Sequence, residues 1–250
     1  MLDYNSSEIS HVGSVREVNE DSVLSRPENG LWVVADGMGG YEAGDLASSM
    51  LVEALNNLSL GNGISSSIDE IENAIYRVNE KILEHSEAEF GGRVFGTTVV
   101  VAFFYDNFGA VLWAGDSRLY RLRSNLLTRI TRDHSQVQEM LDSHLLLPEE
   151  IENYPDQNVI TRAVGAEKQL LLDLQVFEIK EDDKFLLCSD GLYNSVNEDI
   201  IQSILNNGGI KFNADQLIRL SLENEASDNV SFILIQNNES QTITNVKFKS

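Results

Sequence analysis

Four aspartates flank strongly apolar runs that lie far apart in the chain. Asp36 follows Leu31-Trp32-Val33-Val34-Ala35, and Asp116 follows Leu112-Trp113-Ala114-Gly115. Asp190 follows Phe185-Leu186-Leu187-Cys188-Ser189, and Asp228 comes just before Val230-Ser231-Phe232-Ile233-Leu234. A carboxylate beside a buried apolar run is desolvated and repelled by any neighbouring acid, so a cluster of them is costly unless a cation compensates it. Taken singly, each Asp also reads as a turn or cap residue; taken together they point to a metal site. Oxygen ligands without histidine or cysteine select Mg²⁺ or Mn²⁺ over zinc or copper. Two such ions about 4 Å apart, bridged by a carboxylate, can activate a water and neutralise a phosphate in an in-line displacement. The implied chemistry is phosphoester hydrolysis. Arg16, in Gly13-Ser14-Val15-Arg16-Glu17-Val18-Asn19-Glu20-Asp21, offers a guanidinium suited to phosphate, with a surface salt bridge as its other reading. The glycines of Asp36-Gly37-Met38-Gly39-Gly40 either turn the chain or present bare backbone to a ligand.

Competing motifs fail. Glu42 stands where G-x-G-x-x-G needs its third glycine, and neither G-x-x-x-x-G-K nor G-x-S-x-G occurs. His11, His85, His134 and His144 lack zinc spacing and read as surface or packing residues. Lys and Arg total 18 against 40 Asp and Glu, a net charge of −22, which repels nucleic acid and anionic membranes and suits a soluble surface. Cys188 is the only cysteine, so no intrachain disulfide forms and a reducing compartment fits. Met1 to Glu8 lacks a secretory pattern, and Val99 to Phe104 is too short to cross a bilayer; a cytoplasmic protein is expected.

The elements that must position these groups are mostly strands. Thr97 to Phe104 and Ala110 to Ala114, then Leu119 to Arg123 and Leu126 to Ile130, are joined by short turns and therefore pair antiparallel. Further strands are expected at Glu8 to Val12, Asp21 to Ser25, Leu31 to Ala35, Leu171 to Ile179, Phe185 to Ser189 and Val230 to Gln236. Apolar steps of three and four residues predict a helix through Leu46 to Leu58 and another through Ile68 to Ile82. Ser67-Ile68-Asp69-Glu70 has capping-box form and sets the second start near 68. Two later helices are expected at Asp199 to Leu205 and Ala214 to Glu223. The order suggests antiparallel sheets covered on their outer faces by helix pairs. One domain over residues 1–250 is expected, with residues 135–158 either a surface excursion or a flap beside the site, and 237–250 a loose tail or an added edge strand.

Seven segments bear on family: Arg16-x-x-Asn19-Glu20-Asp21, Ala35 to Gly40, Gly96-Thr97-Thr98, Gly115-Asp116-Ser117-Arg118, Val159 to Gly165, Cys188-Ser189-Asp190-Gly191-Leu192 and Ser227-Asp228-Asn229-Val230-Ser231. In that order they resemble the metal-dependent protein phosphatases (PPM) of type 2C, most of all the compact bacterial members. The resemblance implies an α+β fold, a four-layer α-β-β-α sandwich with two packed antiparallel sheets flanked by helix pairs. It implies two tightly bound Mn²⁺ or Mg²⁺ ions and a weaker third. Asp36 would bridge the pair, the Gly37 carbonyl would complete one site, and Asp190 with Asp228 would hold the other. Glu20 and Asp21 would orient metal-bound waters, Arg16 would hold the phosphate, and Asp116 with Asp190 would hold the third ion. Arg16, Asp36 and Asp190 would thus carry catalysis. Met38 departs from the histidine of many eukaryotic relatives and cannot donate a proton, so the general acid stays unnamed.

The implied function is hydrolysis of phosphoserine and phosphothreonine in proteins by metal-activated water, reversing a serine/threonine kinase, with no covalent intermediate. The expected partners are phosphoproteins and a cognate kinase, not nucleic acid or membrane, and the expected state is a monomer. The alternatives are a pseudophosphatase scaffold, which would have lost a metal carboxylate, and another two-metal phosphoesterase such as a nuclease, which the charge disfavours.

Overall fold

The computed structural model describes residues 4–40, 43–61, 63–89, 91–154 and 158–237. Among them the first strands are β1 (Tyr4–His11), β2 (Asp21–Arg26) and β3 (Leu31–Met38), followed by helices α1 (Ala43–Asn56) and α2 (Ile64–Glu89). A run of strands follows: β4 (Gly96–Thr97), β5 (Val99–Tyr105), β6 (Phe108–Ala114), β7 (Arg118–Arg123) and β8 (Leu126–Arg129). Then come α3 (Gln136–Asp142), β9 (Asp173–Glu178), β10 (Lys184–Cys188), α4 (Asp190–Ser195), α5 (Glu198–Asn206), α6 (Ile210–Glu223) and β11 (Val230–Asn237).

The strands form two antiparallel sheets, ordered β1-β11-β10-β7-β8 and β2-β3-β5-β6-β9, with β4 added to β3. Two-residue alternation sorts each strand between two apolar layers. In β3, Leu31, Val33 and Ala35 pack with α1 and α2, whereas Trp32 and Val34 enter the layer between the sheets. In β11, Phe232 and Leu234 meet α5 and α6 residues, whereas Ile233 and Ile235 face inward. The expected four layers are therefore present. Aromatic rings fill the middle layer: Phe185 lies 4.7 Å from Phe104, itself 5.0 Å from Trp32. Truncating so buried a ring as Phe185 costs about 3–5 kcal/mol.

Ser124 and Asn125 both have positive φ (50° and 66°), the geometry of a two-residue hairpin turn between β7 and β8. Three expectations change. Helix α2 begins at Ile64, one turn before the capping box. Instead Ser67 Oγ donates to the Gly61 carbonyl (3.2 Å) and Glu70 Oε2 accepts from Gly61 N (2.9 Å), so both side chains fasten the preceding loop. Helix α4 is additional, too short to show apolar periodicity, and makes the layer outside the first sheet three helices rather than a pair. Strand β3 does not end at Ala35 but runs on through Asp36 to Met38, where Gly37 and Met38 pair with Thr97 and Gly96. Of the expected tail, Asn237 ends β11 and residues 238–250 lie outside the described residues.

Candidate metal centre

Alternation along β3 carries the inward stripe of Trp32 and Val34 on to Asp36. Antiparallel register places Asp21 of β2 directly opposite, on the same face. The chain then converges on this end of the inter-sheet layer from three other places. Asp116 follows β6, Asp190 opens α4 just after β10, and Asp228 precedes β11. Gly37 is needed here for close packing rather than for a turn: a Cβ on it would strike the Gly44 and Glu20 carbonyl oxygens. The turn comes later, at Gly39 and Gly40, with φ of 134° and 64°.

The carboxylates are under-compensated. Burial, followed by repulsion from Asp21, Asp190, Asp116 and Asp228, drives the Asp36 carboxyl well above the usual range. Asp21 is pushed up to about 7, chiefly by burial, with hydroxyl donors on Ser231 and Ser189 opposing. Burial and then the charge of Asp190 push Asp116 to about 7. Burial and then Asp228 push Asp190 to about 6, relieved in part by a hydrogen bond with Asp36. Burial also raises Glu20. Asp21 Oδ1 and Glu20 Oε1 are buried with no hydrogen-bond partner. Buried acceptors left without donors, in an all-oxygen set, fit a hard cation. Among the described residues no three His, Cys, Asp or Glu side chains stand close enough together to hold a metal ion as they are placed.

Neighbouring polar groups hold these acids in place. Asp36 N donates to Thr98 Oγ1 (3.0 Å) and Thr98 N to the Asp36 carbonyl (2.8 Å), while the Thr98 and Ser117 hydroxyls lie 2.7 Å apart. Ser189 Oγ donates to Asp21 Oδ2 at 2.8 Å. Asn229 Oδ1 accepts from Glu20 N, and its Nδ2 donates to the Val12 and Val18 carbonyls, at 2.8–3.0 Å, so one buried amide shapes the loop that carries Arg16. Arg16 itself is half exposed, and its Nη2 donates to Asp228 Oδ2 at 2.8 Å. All the acids singled out in the sequence, together with Arg16 and Gly37, therefore gather at this end. Asn229, Thr98 and Ser189 as positioning residues were missed. The available signal was a polar residue one step beyond an apolar strand, on the continuation of that strand's inward parity.

Asp116 borders a cavity of about 230 Å³ beneath α3. Its wall is braced by Arg118, which forks onto Asp133 (2.7 and 3.1 Å) and lies 3.4 Å over the Tyr193 ring. Tyr193 donates in turn to the Asp116 carbonyl at 3.2 Å. His134, read from the sequence as a surface or packing residue, is buried and stacks on Trp113, and its Nδ1 accepts from Gly115 N at 3.2 Å, fixing the residue before Asp116. The excursion starts at this point: Ser135 caps α3 and bridges to Ile160, closing its base, and a 3-10 helix at Pro148–Asn153 lies within it. Residues 155–157 lie outside the described residues.

Residues 10–207 match the family model described as protein phosphatase 2C. The chain belongs to the protein phosphatase 2C family. It is 35% identical over 234 residues to the serine/threonine phosphatase stp of Listeria welshimeri, covering 90% of this chain and 93% of that one. The structure of PppA, a key regulatory component of T6SS in Pseudomonas aeruginosa, superposes with a TM-score of 0.87 at 40% identity, covering 94% of this chain and 97% of that one. The catalytic domain of the serine/threonine phosphatase PstP, solved with two manganese ions, gives 0.85 at 32% identity, covering 94% and 99%. The protein phosphatase 2C match takes in the segments carrying Arg16 to Asp36, Asp116 and Asp190, while Asp228 lies beyond its limit. Among the described residues no helix is long and apolar enough to cross a membrane.

Proposed function

We propose that this chain is a metal-dependent phosphatase that removes phosphate from phosphoserine and phosphothreonine in proteins. The observation that carries the reading is the convergence of Asp21, Asp36, Asp116 and Asp190 at one end of the inter-sheet layer, each carboxyl raised by burial and mutual repulsion. Two Mn²⁺ or Mg²⁺ ions, when bound, supply the positive charge that offsets a phosphate and lowers the pKa of a water. Asp36 is suited to bridge them, with the Gly37 carbonyl on one side and Asp190 and Asp228 on the other. Glu20 and Asp21, each with an unpartnered oxygen, are suited to orient water. Asp116 with Asp190 would take a weaker third ion. Arg16, at the exposed rim, can turn from Asp228 to a phosphate as a charge-assisted donor. The fold relatives and the acid set support this reading; the single domain over residues 1–250, cytoplasmic location, monomeric state and opposition to a serine/threonine kinase belong to the same proposal.

Phosphate release is measured from a phosphothreonine peptide, from DNA and from a nucleotide. Release from the peptide alone is expected with Mn²⁺ or Mg²⁺, less with Ca²⁺, whose looser coordination places water poorly, and none in chelator. Asp190→Asn should lower the rate at least about 100-fold, since even groups that only orient a metal's ligands cost 10–100-fold. Equal turnover in chelator, or near-normal turnover by Asp190→Asn, overturns the assignment.

A further inference from the structure

Met38 lies two residues beyond Asp36 on β3, and hydrolysis as described leaves it without a task. Alternation puts Met38 on the same face of β3 as Asp36, and two residues of extended chain span about 7 Å. Met38 lines a groove of about 430 Å³ together with Val94, Ile160, Leu170 and Leu171. Val94 and Leu171 are 61% and 64% exposed, so this apolar wall faces solvent. The groove also holds Thr161, whose Oγ1 is buried without a hydrogen-bond partner. An apolar concavity edged by a few polar side chains, here Arg162, Glu167 and Gln169, is the usual construction of a ligand pocket. Of its charged lining, Arg162 is already engaged by Asp173 at 2.8 Å and Glu167 is exposed to solvent, which leaves the apolar wall of Met38, Val94, Leu170 and Leu171 to meet an uncharged side chain.

We propose that this groove is a specificity subsite for the substrate protein, taking an apolar side chain two residues from the phosphoserine or phosphothreonine. The inference rests on the phosphatase reading above. Its occupant follows from continuity: a segment with its phosphoryl group at Asp36, crossing this end of the inter-sheet layer in extended form, covers the distance to Met38 in two residues. The side chain at that position points the same way as the phosphorylated one. Met38 thus serves as the apolar floor of the pocket.

The test compares kcat/KM at fixed Mn²⁺ for phosphothreonine peptides with Leu or Gly two residues before or two residues after the phosphothreonine. The chain is expected to favour Leu by about tenfold at one of the two positions, the lower end of what an apolar pocket extracts from added methylenes. Val94→Ser and Leu171→Ser should each draw that ratio towards one. Phe212→Ser, which removes a 57% exposed side chain from α6, should keep it. Equal rates on Leu and Gly peptides, or a preference that Val94→Ser and Leu171→Ser leave intact, overturn the subsite alone, because peptides are still hydrolysed. No release from any peptide overturns the phosphatase reading and the subsite with it. A ratio of one together with a dimer that Leu171→Ser dissolves assigns the groove to a second copy of the chain and also overturns the proposal.

Discussion

Asp21 and Asp36 face each other in register across β2 and β3, two acids on the same side of an antiparallel pair at the end of an apolar layer. Like charges directly opposite destabilise a sheet, so this pairing weakens the metal-free fold and suits a bound cation. Asp21→Asn should therefore move stability and activity in opposite directions. Asn still accepts from Ser189, and with one charge gone the metal-free chain should melt about 2–4 °C higher at pH 8, the shift that about 1 kcal/mol gives in a chain of this size. Phosphopeptide turnover should fall. A lower melting temperature would show that Asp21 stabilises the fold and does not strain it.

Stability of the metal-free chain should also fall as pH rises. Asp21 and Asp116 titrate near 7 and Asp190 near 6 in the fold, against about 3.9 for an unfolded Asp. Between those values the folded state holds protons that the unfolded chain has released. The stabilisation is thus complete below the unfolded value and lost as pH climbs through 6 to 7. Thermal melts in chelator should show a lower melting temperature at pH 8 than at pH 5, and Mn²⁺ added near pH 6 should release protons, seen as a buffer-dependent heat. A melting temperature that rises over this range contradicts the raised values.

For Arg16→Ala the expected change is in KM, raised about tenfold, the loss of a hydrogen bond to a charged group. Stability should move little, since the Arg16–Asp228 pair is exposed on both sides and such pairs contribute about 0–1 kcal/mol. Arg16→Lys should recover only part of the affinity, because an ammonium lacks the planar fork. An unchanged KM for phosphopeptide takes Arg16 out of the site.

Asp116 carries the proposed third site. An outer ion held by few protein oxygens binds more weakly than a bridged pair, so Asp116→Asn should keep two ions and lose turnover mainly at low metal concentration. Calorimetric titration of both proteins with Mn²⁺ decides. The same number of ions with the same affinities would reduce Asp116 to a turn residue.

Much of this was legible in the order of the residues. Strand alternation, short turns and helical periodicity depend on local chain geometry, so the two sheets and α1, α2, α5 and α6 could be read directly. The acids beside apolar runs stood out because a carboxylate next to a buried strand must lose water whatever lies across the fold, even though what compensates it does not show in the sequence. What only the tertiary structure decided is long-range. That Asp21 opposes Asp36 follows from β2–β3 register, and that Asn229 holds the loop around Arg16 requires contacts 209 and 211 residues apart in the chain. The continuation of β3 past Asp36 depends on β4 arriving to pair with it. Helix α4 escaped notice because six residues show too little of a 3.6-residue repeat, and the capping box misled because Ser67 and Glu70 bond a loop instead of their own helix start. Sequence carries the chemical character of each residue and its local period; which distant groups satisfy or repel it is settled only when the sheets stack.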